Sequence, residues 1–251
     1  MTLVEGWAPT DATDRRLSRS RLHAYVRATS HRAGAKSCMV EPVEGVVRIR
    51  VDGTTGRGHV SGLKRCKSLW SCPVCAPSIR ATRAKETTAL VERAQGIGHT
   101  VVMPSYTLPH QAGEALSVTL GYVDTAWRMM WSGRWAQGFR ERFAVVGQIR
   151  AVEVTYGDNG WHPHRHQLLF LDLPAGEVDA LLVELWVALY RRWCECVMAT
   201  CGRKPSARNG LDVRQVHDAL AVGEYVTDAG GWSVGSEVCC QPVKVPVPAR
   251  R

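Results

Sequence analysis

Three histidines fall within five positions of GWHPHRHQLLFLD, Gly160 to Asp172, just before the apolar run Leu168 to Leu171. Imidazole is the side chain that both ligates a divalent cation and moves a proton near neutral pH. On a strand, residues two apart share a face, so His164 and His166 project together while Arg165 and Gln167 project opposite. His162 has the same parity, but Pro163 and the turn before it leave its direction open. Two imidazoles on one face bind one divalent cation and leave positions open for substrate. A second group of metal-grade side chains stands upstream in CKSLWSCPVC, with Cys66, Cys72 and Cys75. The CPVC spacing lets two thiolates grip one tetrahedral ion, with Cys38 as fourth ligand. A structural zinc ion on Cys38, Cys66, Cys72 and Cys75 would supply on the order of 10 kcal/mol of folding free energy. A thioredoxin-type redox pair and an incidental pair are the other readings of CxxC. Cys194, Cys196 and Cys201 lie on or after a helix, where residues two apart face differently, and read as buried small hydrophobes.

The elements that position the histidines can be read from alternation and turn chemistry. IRAVEVTY (149–156) alternates as a strand, GDNG (157–160) is a turn, and His164 to Leu171 returns as the second arm of a hairpin. With Asp158 and Asn159 at the turn, Glu153 falls directly opposite His164, its Cβ about 4.5 to 5.5 Å away. Two nitrogens and one carboxylate with open positions suit Mg²⁺ or Mn²⁺ and would also accept Zn²⁺. A one-residue slip would turn Glu153 to the other face.

Around this hairpin the chain reads as α+β. Residues 11–36 carry Arg15, Arg16, Arg19, Arg21, Arg27, Arg32 and Lys36 as a solvated basic helix or arm. From Cys38 to Glu86 come short alternating segments and turns with too little apolar material to fold unaided, hence the value of a metal staple. After Pro77 the pattern is helical. VVMPSYTL (101–108) is a strand whose Pro104 predicts an edge or a bulge. Glu114 to Trp131 and Glu177 to Val197 are amphipathic helices, LDVRQV (211–216) is a strand, and Asp218 to Thr227 is a helix bearing Tyr225. The expected organisation is a basic arm (1–37), a zinc module with a basic helix (38–95), a catalytic-size domain (96–238) and a disordered tail (239–251).

With 32 Lys+Arg against 23 Asp+Glu, the net charge is +9 and the pI near 9.3, which favours a polyanionic partner. Neither a signal peptide nor a run of roughly 18 apolar residues occurs, so a cytoplasmic protein without membrane contact is expected. Nine cysteines in such a chain suggest thiols and metal rather than disulfides. Neither HExxH nor a deaminase HxE with PCxxC is present, which argues against a zinc hydrolase of small substrates.

GWHPHRH followed by an apolar strand resembles the HUH motif of rolling-circle replication initiators. The order LKRCKSLWSCPVC (63–75), YTLPH (106–110), EVTYGDNGWHPHRH (153–166) and EYVTDAGGW (224–232) is similar to the Rep initiators of actinobacterial plasmids, over roughly Cys38 to Val238. That resemblance implies an HUH-endonuclease-like central antiparallel sheet flanked by helices, with an N-terminal zinc-binding module. It implies a metal-dependent nickase that cuts and rejoins single-stranded plasmid origin DNA. Tyr225 would attack the phosphodiester, Glu224 would assist as acid or base in a later hydrolytic step, and Glu153, His164 and His166 would hold the cation. Arg65, Arg80, Arg83 and Lys85 would contact origin phosphates, and a host helicase and polymerase would be partners. Three residues after Tyr225 stands Asp228, where the family has lysine. HUH transposases and conjugative relaxases share the chemistry; the upstream cysteines favour the plasmid initiator. The reading from another class is a zinc-containing DNA-binding protein without catalysis, derived from an initiator.

Overall fold

The computed structural model describes residues 12–56, 58–174 and 178–217. Its packing divides the chain into two units, Met1–Thr82 and Arg83–Arg251.

The first unit holds helices α1 (Ala12–Thr29) and α2 (Ala33–Ser37), a two-stranded hairpin of β1 (Arg48–Val51) and β2 (Gly58–Ser61), and the start of α3 (Cys75–Gly96). Its largest apolar cluster is made by Cys38, Cys72 and Cys75 with Met39, Cys66, Val74 and Ile79 beside them. Most of its large apolar residues lie at the surface, among them Val43, Val46, Ile49 and Trp70. A unit this poor in buried side chains needs a cross-link of another kind.

The second unit is built on a four-stranded antiparallel sheet in the order β4–β5–β3–β6, where β3 is Thr100–Thr107, β4 Val145–Gly157, β5 Gly160–Leu171 and β6 Leu211–Gln215. Helices α4 (Leu116–Met130), α5 (Gly133–Arg142) and α6 (Val178–Cys201) complete it. On α6, Leu185, Leu189, Trp193 and Val197 recur every fourth residue, and all are fully buried. They join Val123, Trp127 and Met130 of α4, Phe139 of α5 and the sheet residues Val102, Tyr106, Leu169, Leu171 and Leu211 in the main core. The opposite sheet face carries Val101, Met103, Leu168, Phe170 and Val216 against Val91 and Ala94 of α3. Leu168 to Leu171 is thus a continuous apolar run because both faces of β5 are covered at that end. Cys194 and Cys196 are buried, and Cys196 and Cys201 pack with the main core as small apolar groups.

Pro104 corrects the expectation of an edge strand. β3 lies inside the sheet, between β5 and β6. The pairing with β5 lapses between Val102↔Leu169 and Ser105↔His166, whereas Pro104 pairs with Val213 of β6. The missing N–H is accommodated by a local gap in one ladder, and the register is the same on either side of it. The helix α5 had no counterpart in the periodicity reading.

Candidate metal centre

The hairpin register is the one the turn predicts: Glu153 pairs with His164, Ala151 with His166 and Thr155 with His162. Gly160 closes the turn at φ +82°, where a side chain would be strained and a Cβ would lie 3.4 Å from the backbone of Ala112. Glu153, His164 and His166 therefore share one face, and one oxygen or nitrogen from each lies within 4.8 Å of the others. Glu153 Oε2 contacts both Nε2 atoms, that of His166 at 2.9 Å and that of His164 more closely still. Glu153 and His166 are buried, while 12% of the His164 side chain is open to solvent.

The rings are held from behind. The Nδ1–H of His164 donates to the carbonyl of His162 at 3.3 Å, which in the neutral ring leaves Nε2 with a bare lone pair. Ser105, paired with His166 across the β3–β5 ladder, places its Oγ 2.8 Å from His166 Nδ1. Both imidazoles thus turn Nε2 toward one carboxylate oxygen, and a lone pair facing a carboxylate calls for a shared cation or proton between them. The donor set fits a divalent cation with open positions. Burial alone would raise the Glu153 carboxyl, but hydrogen bonds to His164 and His166 more than reverse it and hold it well below the usual carboxylate range. Glu153 stays ionised, as a metal ligand must. Ser105→Ala should keep the fold yet weaken divalent-cation affinity by about 10- to 100-fold, read by calorimetric titration with Mn²⁺.

His162, whose direction the sequence left open, lies on the same row with its ring 5.2 Å from that of His164. Its Nδ1 is 2.6 Å from Nε2 of His110, whose own Nδ1–H donates to the carbonyl of Asn159 at 3.0 Å. Burial, with the nearby His164 and His110, pulls the His162 imidazole down to about 4. His110 and Ser105 are site residues that the sequence reading did not single out. Both reach the histidines from β3 or the loop after it, so no local spacing signals them. Arg165 and Gln167 point to the other face: Arg165 pairs with Asp124 and lies over Trp127, and Gln167 accepts from the Tyr106 hydroxyl at 3.0 Å.

In the first unit Cys38, Cys66, Cys72 and Cys75 converge, their sulfurs within 4.8 Å of one another. Sγ separations of 3.6 Å (Cys38–Cys72), 3.5 Å (Cys38–Cys75) and 3.9 Å (Cys66–Cys75) match the roughly 3.8 Å edge of a tetrahedron with Zn–S bonds near 2.3 Å. A disulfide needs about 2.05 Å, and all four are free thiols. Burial pushes the Cys38 thiol up to about 12. Cys72 also feels burial, but the backbone amides of Cys75 and Val74 outweigh it and bring its thiol below the ordinary value. Amides directed at a knuckle sulfur stabilise the thiolate, so this set fits a tetrahedral metal ion.

Of the basic residues expected to meet DNA, Arg65, Arg83 and Lys85 are exposed. Arg80 is half-buried and donates to the carbonyl of Leu69 at 3.3 Å, bracing the loop between Cys66 and Cys72. Tyr225 and Glu224 lie outside the described residues, as do Asp228 and the tail. Among the described residues no helix is long and apolar enough to cross a membrane.

No protein-family model matches the chain, and no solved structure matches it. It is 34% identical over 231 residues to "Protein rep" of Streptomyces lividans, an alignment covering 74% of this chain and 50% of that protein. It is 29% identical over 157 residues to a "Neomycin resistance protein" of Streptomyces cyanogenus, covering 53% of this chain and 36% of that protein. The chain thus spans about half the length of the first relative and about a third of the second. With the motif resemblance matched by homology over three quarters of its length, this chain is a relative of the Rep proteins of actinobacterial plasmids.

Proposed function

We propose that the chain is a plasmid replication initiator that nicks and rejoins single-stranded origin DNA by the HUH mechanism. The observation that supports this reading most is the convergence of Glu153, His164 and His166 on one point of a solvent-reachable sheet face, in a relative of Protein rep. Glu153, His164 and His166 would hold Mg²⁺ or Mn²⁺, which neutralises charge on the scissile phosphate and orients it. The Oη of Tyr225 bonds to phosphorus as the P–O3′ bond breaks; the phenol gives up its proton and the departing 3′ oxygen takes one. The 5′ phosphate stays on the protein until a second 3′-hydroxyl reverses the step. Glu224, next to Tyr225 in the sequence, would take or give a proton if water attacks instead. Cys38, Cys66, Cys72 and Cys75 would hold structural zinc, and Arg65, Arg83 and Lys85 would meet phosphates.

The test is incubation of the purified chain with labelled single-stranded origin DNA and Mn²⁺, followed by a denaturing gel. A DNA-linked protein band that EDTA abolishes is the expected result. Tight binding of the same DNA without any linked band would replace the nickase with a zinc-containing DNA-binding protein.

A further inference from the structure

The β1–β2 hairpin has no part in the metal chemistry. Seven of its eight strand residues are exposed, and Ser61 is half-buried. Its pairing, Arg48↔Ser61, Ile49↔Val60, Arg50↔His59 and Val51↔Gly58, sorts the side chains by parity. One face carries Arg48, Arg50, His59 and Ser61; the other carries Ile49, Val51 and Val60. Both ends are fastened. At the tip, the Asp52 carboxylate accepts from the amides of Thr54 (3.0 Å) and Thr55 (2.7 Å) and from the Thr55 hydroxyl (2.8 Å), so the one acidic side chain between Arg48 and Ser61 is turned to the loop. At the root, Met39 N donates to Lys64 O at 2.7 Å, Lys64 N to Glu41 O at 2.8 Å and Val43 N to Gly62 O at 2.8 Å. Gly62 sits at φ +89°, and a Cβ there would come 2.3 Å from the carbonyl oxygen of Val46. These root pairs lead on either side to Cys38 and Cys66, so the cysteine cluster clamps the base of the ribbon.

An isolated two-stranded hairpin is marginal in water, yet this one, stapled at its base, is left uncovered by the described residues, which leaves both of its faces open to a partner. A protein partner is disfavoured by size: Ile49, Val51 and Val60 offer far less than the roughly 800 Å² per side of a stable interface. Charge and shape favour duplex DNA. A ribbon of two strands about 4.8 Å apart, with its side chains, fits a major groove about 12 Å wide, where arginine reads guanine and flanking phosphates. We infer that the β1–β2 hairpin is a groove-binding ribbon for double-stranded DNA, with Arg48, Arg50 and His59 facing the duplex. This extends the DNA-processing reading by giving the chain a duplex site separate from the single-strand chemistry.

The full chain and Arg48→Ala/Arg50→Ala are compared by fluorescence anisotropy on a labelled mixed-sequence duplex of about 30 base pairs, and on one of its strands, across a salt series. The expected result is a duplex affinity at least about tenfold weaker and a log–log salt slope smaller by about 2, with single-strand binding and linked-band yield unchanged. Unchanged duplex affinity and slope, a parallel loss on both probes, or a wild-type chain that does not bind duplex would each overturn the inference. So would an Ile49→Ser/Val60→Ser variant that alone loses duplex binding together with a change in oligomeric mass. Unchanged circular dichroism and zinc content guard against misfolding. If the wild type binds duplex through the arginines but yields no linked band, the nickase reading fails and the ribbon stands.

Discussion

Tyr225→Phe should eliminate the protein–DNA band on a denaturing gel, a loss of at least about a thousandfold in rate, while native binding of the same DNA is retained. Phenylalanine keeps the ring and removes only the phenolic oxygen proposed to attack. The structure narrows the alternatives. Tyr106 is fully buried, donates to Gln167, and is raised well above the ordinary phenol range by burial. Tyr122 and Tyr190 pack with the main core, on the sheet face away from the histidines. Tyr156 pairs with Trp161 and has the parity opposite to Glu153. Tyr225 follows β6, whose end lies beside Val101, about 13 Å of strand from the level of Ser105. The chain from His217 to Tyr225 reaches at most about 28 Å, so the distance is within its span. A linked band that survives Tyr225→Phe would remove Tyr225 from the chemistry and direct attention to Tyr25.

The second large effect concerns the cysteines. Cys72→Ser, or dialysis against a zinc chelator, should unfold the first unit, because the metal would contribute on the order of 10 kcal/mol where few side chains are buried. Elemental analysis should find one zinc ion per native chain and none after either treatment. Amide exchange should accelerate in Met39–Lys64 and stay slow in Leu168–Leu171, since those residues lie in different units. Native zinc-free protein with unchanged exchange would show that the four thiols pack without metal.

Much of the site was legible because its distances along the chain are short. Asp158 and Asn159 define the turn, the turn defines the register, and the register puts Glu153 opposite His164. The CPVC knuckle was legible for the same reason. What depended on distant segments was not. Pro104 read as an edge residue, but β6 joins β3 from more than a hundred positions later and makes it internal. Ser105 and His110 carry no spacing that ties them to His166 or His162. Helix α5, with Gly133, Gly138 and several arginines, has a polar local texture; burial of Phe139 in the main core, edge-on to Trp131 just after α4 with rings 5.5 Å apart, holds it against its neighbours.

The hairpin also sets an order of assembly. Glu153 meets His164 and His166 across separations of 11 and 13 residues, whereas Ser105 meets His166 across 61. Closing the short loop costs less chain entropy and takes microseconds, while the long one waits on the sheet. The three ligands can therefore gather on a nascent β4–β5 hairpin, and the serine that aims His166 arrives last. A cation present during folding would meet a loose grip first and a fixed one only when β3 docks, so the strand that completes the core also sharpens the chemistry.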